Sequence, residues 1–175
     1  AYLQAIDEKY DVIMVDAYQD ITIPFQMSSV EFFMMVKEHL NENGVMVVNM
    51  NMRGNNEGNI NQYLSDTIAS VFDHIVTVDV DGSTNRELYA SSNADMVKTL
   101  ENNANETGHS DLRDMMLHVA DTSSVYEAGD YIMTDDKAPV ELLGMQVIDQ
   151  LIQGEVAYYK DIFEKDGING LLESL

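Results

Sequence analysis

The stretch YDVIMVDAYQDITIPFQMSSVEFFMMVKEHLNENGVMVVNM, residues 10–50, decides the fold. Val12, Ile13, Met14 and Val15 form a continuous apolar run that stops at Asp16, as a strand does when both of its faces are covered in a parallel sheet. After a polar loop comes Ser28-Ser29-Val30-Glu31, where a serine hydroxyl and the Glu31 carboxylate can satisfy the orphan amides of a helix start. A helix is therefore expected from near Ser28. Val30, Phe33, Met34 and Leu40 keep helical spacing, and Gly44 is the expected C′ residue in the left-handed conformation. Residues 45–50 then read as a second buried strand.

Outward from this unit the pattern repeats. Residues 51–58 are a polar Asn/Gly loop, and Asn59 can cap a helix carrying Ile60, Tyr63, Leu64, Ile68, Val71 and Phe72 on one face. Residues 75–80 read as a third strand. The turn Asp81-Gly82-Ser83-Thr84-Asn85 leads into a fourth, residues 86–90, expected to pair antiparallel with the third. Strand, helix, strand, helix, strand, strand is an α/β organisation. Residues 95–119 read as two helices separated by the Asn-rich loop ENNANETGHS. Further on, TDDKAPVE (134–141) is a turn with Pro139 near the first turn of a helix reaching about Ile152, and a last helix covers about 155–165. Tyr2, Leu3 and Ile6 are spaced like the tail of a helix, and there is no internal repeat.

The chain has 175 residues, nine Lys plus Arg against 31 Asp plus Glu, and a formal charge of −22. Its 45% hydrophobic content assigns that acidity to a folded surface rather than to a disordered tail. Such a chain repels phosphate backbones, which excludes generic nucleic-acid binding, and it favours cationic small molecules. Without cysteine there is no disulfide framework, thiolate nucleophile or Cys-based zinc site; this suits the reducing cytoplasm. Neither a membrane-length apolar run nor a signal-peptide layout is present.

Asp16 is the most informative residue, because ligands of open α/β sheets bind at the carboxyl ends of strands. A carboxylate there either faces the cleft or merely caps the next loop. Tyr18 and Asp20 share that loop; they would add a phenol and a second carboxylate toward a cation, or are simply solvated. Asp135 and Asp136 either favour a helix N-terminus through the macrodipole or form a second acidic wall over the same cleft. His39, His74, His109 and His118 show no ligand spacing, so no metal site is indicated. No GxGxxG, GxxxxGK[ST] or GxSxG is present, and Met34, Met35, Met46, Met50, Met115 and Met116 read as adaptable core filling.

Residues 10–50 resemble the spermidine synthase family, and most closely its synthase-like branch, with the pattern YDvIivDAf, IP, then T.EFf…L…Gv…N. TDDKAPVE resembles that branch's TDD.aPVE. The resemblance implies the class I S-adenosylmethionine-dependent methyltransferase fold. The strands found here would be its fourth to seventh, a C-terminal half of the Rossmann-like sheet with a helical C-terminal extension. Residues 1–93 would be the partial synthase domain and 94–175 the extension, packed on the same domain. The implied activity is aminopropyl transfer from decarboxylated S-adenosylmethionine, a co-substrate not held tightly, to a diamine such as putrescine, without a metal. Asp16 matches the strand-end aspartate that holds and deprotonates the amine, while Tyr18, Asp20 and Asp136 are the expected substrate-binding residues.

The chain departs from authentic synthases, which place a second Asp three residues after the first, followed by Pro; here DAYQD puts Asp20 four residues on and Pro24 further away. The family's glycine-rich loop and ribose-binding acid are expected upstream of Ala1, so these 175 residues alone should bind the donor poorly. Without a preceding strand, the 10–16 strand would be an apolar edge, inviting homo-oligomer formation or pairing with another chain. Two alternatives stay open: a methyltransferase using intact S-adenosylmethionine, and a non-catalytic dimerisation module.

Overall fold

The computed structural model describes residues 2–16, 23–50 and 57–174. Contacts divide the chain into two compact units, Ala1–Val140 and Glu141–Leu175. The first holds a five-stranded sheet built from β1 (Tyr10–Val15), β2 (Leu40–Met50), β3 (His74–Asp79), β4 (Arg86–Ser91) and β5 (Ser124–Val125), in the order β1-β2-β4-β3-β5. β1 and β2 are parallel, joined through α1 (Val30–Glu38); β4 runs antiparallel to both β2 and β3. One reversed strand between two that share a direction is the arrangement expected of strands four, five, seven and six of the class I methyltransferase sheet. The unit is thus a C-terminal half of that Rossmann-like fold. Two-residue β5, which periodicity could not reveal, extends the sheet beyond β3.

Alternation along the strands gives the sheet two unequal faces. On one, Met46, Val48, Met50, Leu88, Ala90 and Ile75 are buried under α1 and α2 (Ile60–Ala69), which contribute Phe33, Val36, Leu64 and Ile68. Each of these side chains except Ala90 contributes about 1.5–3 kcal/mol on burial, so this layer is the core. The other face meets α3 (Met96–Glu106) and α4 (Ser110–Thr122) across a groove of about 370 Å³ that includes Val45, Val47, Val76 and Tyr89. Towards β1 that face opens: Val12 and Met14 are 55% and 73% exposed, on a strand that among the described residues pairs only with β2.

Local signals hold in part. Asn59 caps α2, accepting from the Gln62 amide at 3.0 Å. Ser29, not Ser28, caps α1 through the Phe32 amide at 3.3 Å, and Ser28 donates to the Phe25 carbonyl instead. Gly44 does not end α1 in a left-handed conformation. The helix closes at His39, and Gly44 lies in β2, where the pairing with β1 jumps from Tyr10↔Leu40 to Val12↔Val45. An added Cβ at Gly44 would stand 3.0 Å from the Tyr10 carbonyl oxygen, so close approach, not handedness, favours glycine. The Asn-rich segment is helical to Glu106, leaving a break of only 107–109 between α3 and α4. These two helices and β5 belong to the first unit.

The second unit consists of α5 (Val140–Glu173), whose first residue closes the first unit. The expected break near residue 154 does not occur; the helix runs on to a kink at Gly167, φ 65°. Among the described residues, no helix is long and apolar enough to cross a membrane.

Candidate functional site

Asp16 directly follows β1, so its carboxylate emerges at the carboxyl edge of the sheet, exposed to solvent. Neighbouring β2 carries Asn49 beside it, and the Asn49 amide donates to Asp16 Oδ1 at 3.3 Å. One strand further, Glu87 of β4 pairs in register with Asn49. Burial pushes the Glu87 carboxyl above its usual range, and the Asp16 charge adds to that shift. Tyr89, two residues along the same face, is raised by burial and then by Glu87. Asp16, Asn49 and Glu87 thus make a row across three strands, with one solvated carboxylate and one that holds its proton more firmly.

Asp136 lies exposed in the turn 134–137, which is closed by reciprocal backbone bonds: the Thr134 amide to the Lys137 carbonyl at 3.1 Å, and the Lys137 amide to the Thr134 carbonyl at 2.9 Å. This turn is tied to the start of α1. Ser29 Oγ donates to Asp135, Glu31 accepts from the Asp135 amide at 3.0 Å, and the Val30 amide donates to the Met133 carbonyl at 2.9 Å. Glu31 therefore does not complete a capping box; it reaches over to hold the turn. A helix after a parallel strand begins at that strand's carboxyl end, so topology brings the turn bearing Asp136 to the end of the sheet where Asp16 stands. Tyr18 and Asp20 lie outside the described residues.

Asn49 and Glu87 were not singled out from the sequence. A polar residue interrupting the apolar run of 45–50 is a visible signal for the first; for Glu87 nothing short of the β2–β4 register provides one. The apolar groove does not include Asp16; its lining starts from Asp11 and Val12, at the opposite end of β1. Among the described residues no group of three histidine or acidic side chains converges as a metal site would require.

Residues 1–80 match the spermine/spermidine synthase domain. The whole chain aligns at 51% identity over 192 residues with a Bifidobacterium longum protein named as a probable polyamine aminopropyl transferase. The chain is similar to the C-terminal part of the spermidine synthase family. It spans 43% of the length of that relative. Among solved structures, human methyltransferase-like protein 13 in complex with SAH is 16% identical, with a TM-score of 0.49 over 72% of this chain and 58% of that one. A probable spermidine synthase from Corynebacterium glutamicum is also 16% identical, with a TM-score of 0.40 over 76% of this chain and 53% of that one.

Proposed function

We propose that this chain is the amine-handling part of a spermidine synthase-like enzyme that moves an aminopropyl group from decarboxylated S-adenosylmethionine to a diamine such as putrescine. The observation that carries this reading is the exposed Asp16 carboxylate at the end of β1, steadied by Asn49 at 3.3 Å, in a chain similar to this family. An alkyl amine with a pKa of about 10 is cationic at neutral pH and has no free electron pair. Asp16 holds the ammonium, orients it and takes its proton. The freed nitrogen pair then forms a bond to the carbon next to the sulfonium, and the carbon–sulfur bond breaks with its electrons passing to sulfur, giving a neutral thioether.

Asp136 supplies a second anionic contact, for the far ammonium, and Tyr18 and Asp20 are assigned to the same amine as substrate-binding residues. The donor's nucleoside half is bound by residues outside these 175. An acidic chain without cysteine suits this chemistry in the cytoplasm.

In the complete parent protein, Asp16→Asn should lower aminopropyl transfer to putrescine by about 10²–10⁴-fold. Unchanged turnover would overturn the assignment. The DAYQD spacing, one residue longer than in authentic synthases, favours a second reading in which intact S-adenosylmethionine is the donor and a methyl group moves. Offering putrescine with each donor in turn separates the two, since only one should yield product.

A further inference from the structure

Asp66 lies in the middle of α2 and is completely buried. A carboxylate there adds nothing to the helix and must find its partners elsewhere. It finds three on one passing segment: the Tyr126 hydroxyl at 2.6 Å, the Gly129 amide at 3.0 Å and the Tyr131 amide at 3.0 Å. The Tyr126 hydroxyl is accordingly held protonated, by burial first and then by this bond. Thr67, the next residue, accepts from the Met133 amide at 2.9 Å. The Met133 carbonyl in turn takes the Val30 amide, and two residues later Asp135 is bonded to Ser29 and Glu31. An irregular segment is thus fastened at five successive points, and the turn bearing Asp136 hangs from its end. Gly129 is part of the fit, because an added Cβ would come within 2.5 Å of Asp66 Oδ2.

We propose that Asp66 is a positioning residue for amine binding, its buried charge holding the 126–133 segment so that the following turn presents Asp136 at the carboxyl edge of the sheet. The proposal rests on the reading of Asp136 as an amine contact. Such a role needs a charge. Two backbone amides and a hydroxyl all donate, and a carboxylate can accept from all three. An Asn side chain has one accepting oxygen, and its NH2 group would face one of those donors unpaired.

The test uses the complete parent protein and steady-state kinetics with putrescine, comparing Asp136→Asn, Asp66→Asn and the double variant. Asp66→Asn should raise KM for the amine about fivefold or more with donor KM unchanged. The double variant should be no worse than Asp136→Asn alone, because Asp66 acts only through that turn. If Asp136→Asn raises KM and Asp66→Asn leaves it unchanged, or if the two effects multiply, the positioning role is overturned while the reading of Asp136 stands. If Asp136→Asn leaves KM unchanged, that reading fails, and the amine-positioning role of Asp66 fails with it. Should Asp66→Asn not fold, Gly129→Ala displaces the segment from the opposite side and should reproduce the KM effect. Amide exchange at Tyr131 and Met133 should quicken at least tenfold in the same variant, and unaltered exchange and KM would overturn the proposal.

Discussion

His39 shows how much one side chain can hold. Its Nδ1–H donates to the Met35 carbonyl at 2.7 Å and its Nε2–H to the Ile6 carbonyl at 3.0 Å, tying the N-terminal segment to the end of α1. Carbonyls only accept, so the two bonds favour the doubly protonated ring and, aided by Glu38, raise the imidazole above its ordinary value. A pKa raised on folding stabilises the fold below the unfolded value of about 6.5 and loses that contribution as pH climbs through the folded value. The melting temperature should therefore fall more between pH 6 and 9 in the native chain than in His39→Gln. Parallel melting curves across that range would remove His39 as the cause. At this scale Asp16 was legible, because a charge that ends an apolar run has few places to go. Asp66 was not: Ser65-Asp66-Thr67 reads as a solvated helix face, and what buries it is a segment without periodicity sixty residues away.

Among the elements, α2 with its Asn59 cap and the antiparallel β3–β4 pair match the reading of the sequence, whereas the cap and end of α1 and the break expected near residue 154 do not. The 101–106 stretch reads as a loop, since asparagine is a modest helix former. Yet that penalty is only about 0.5 kcal/mol per residue, and Met96, Leu100 and Ala104 at four-residue spacing give α3 an inward face that outweighs it. Gly44 was assigned a left-handed role that its contact with the β1 backbone makes unnecessary. The start of α1 carries two tasks at once, since Ser29 both caps the helix and donates to Asp135. Ser29→Ala should cost about 0.5–2 kcal/mol in urea denaturation from the cap alone. It should also raise the KM for putrescine in the complete enzyme, which a purely local cap would leave unchanged.

For the whole molecule, the charge of −22 and the exposed edge of β1 act against each other. Like-charged copies repel, while Val12 and Met14 on an open strand invite pairing. Salt shortens the screening length from about 10 Å at 0.1 M to about 3 Å at 1 M, so self-association of the 175-residue chain should grow with ionic strength in sedimentation experiments. Met14→Lys should suppress it. A monomer at every salt concentration would show that the edge is harmless.

The reversed strand β4 also bears on how the chain comes together. β2 gains its second neighbour only when Val45 meets Ser91 and Met50 meets Arg86, so the middle of the sheet is sealed by contacts about forty residues apart. Closing that span costs chain entropy before it returns any contact. A nascent chain emerging from the ribosome can join β1, α1 and β2 early, but it carries an unsealed β2 until residue 91 appears. Assembly should therefore be limited by the arrival of β4, and slowed by any substitution that delays the β3–β4 turn.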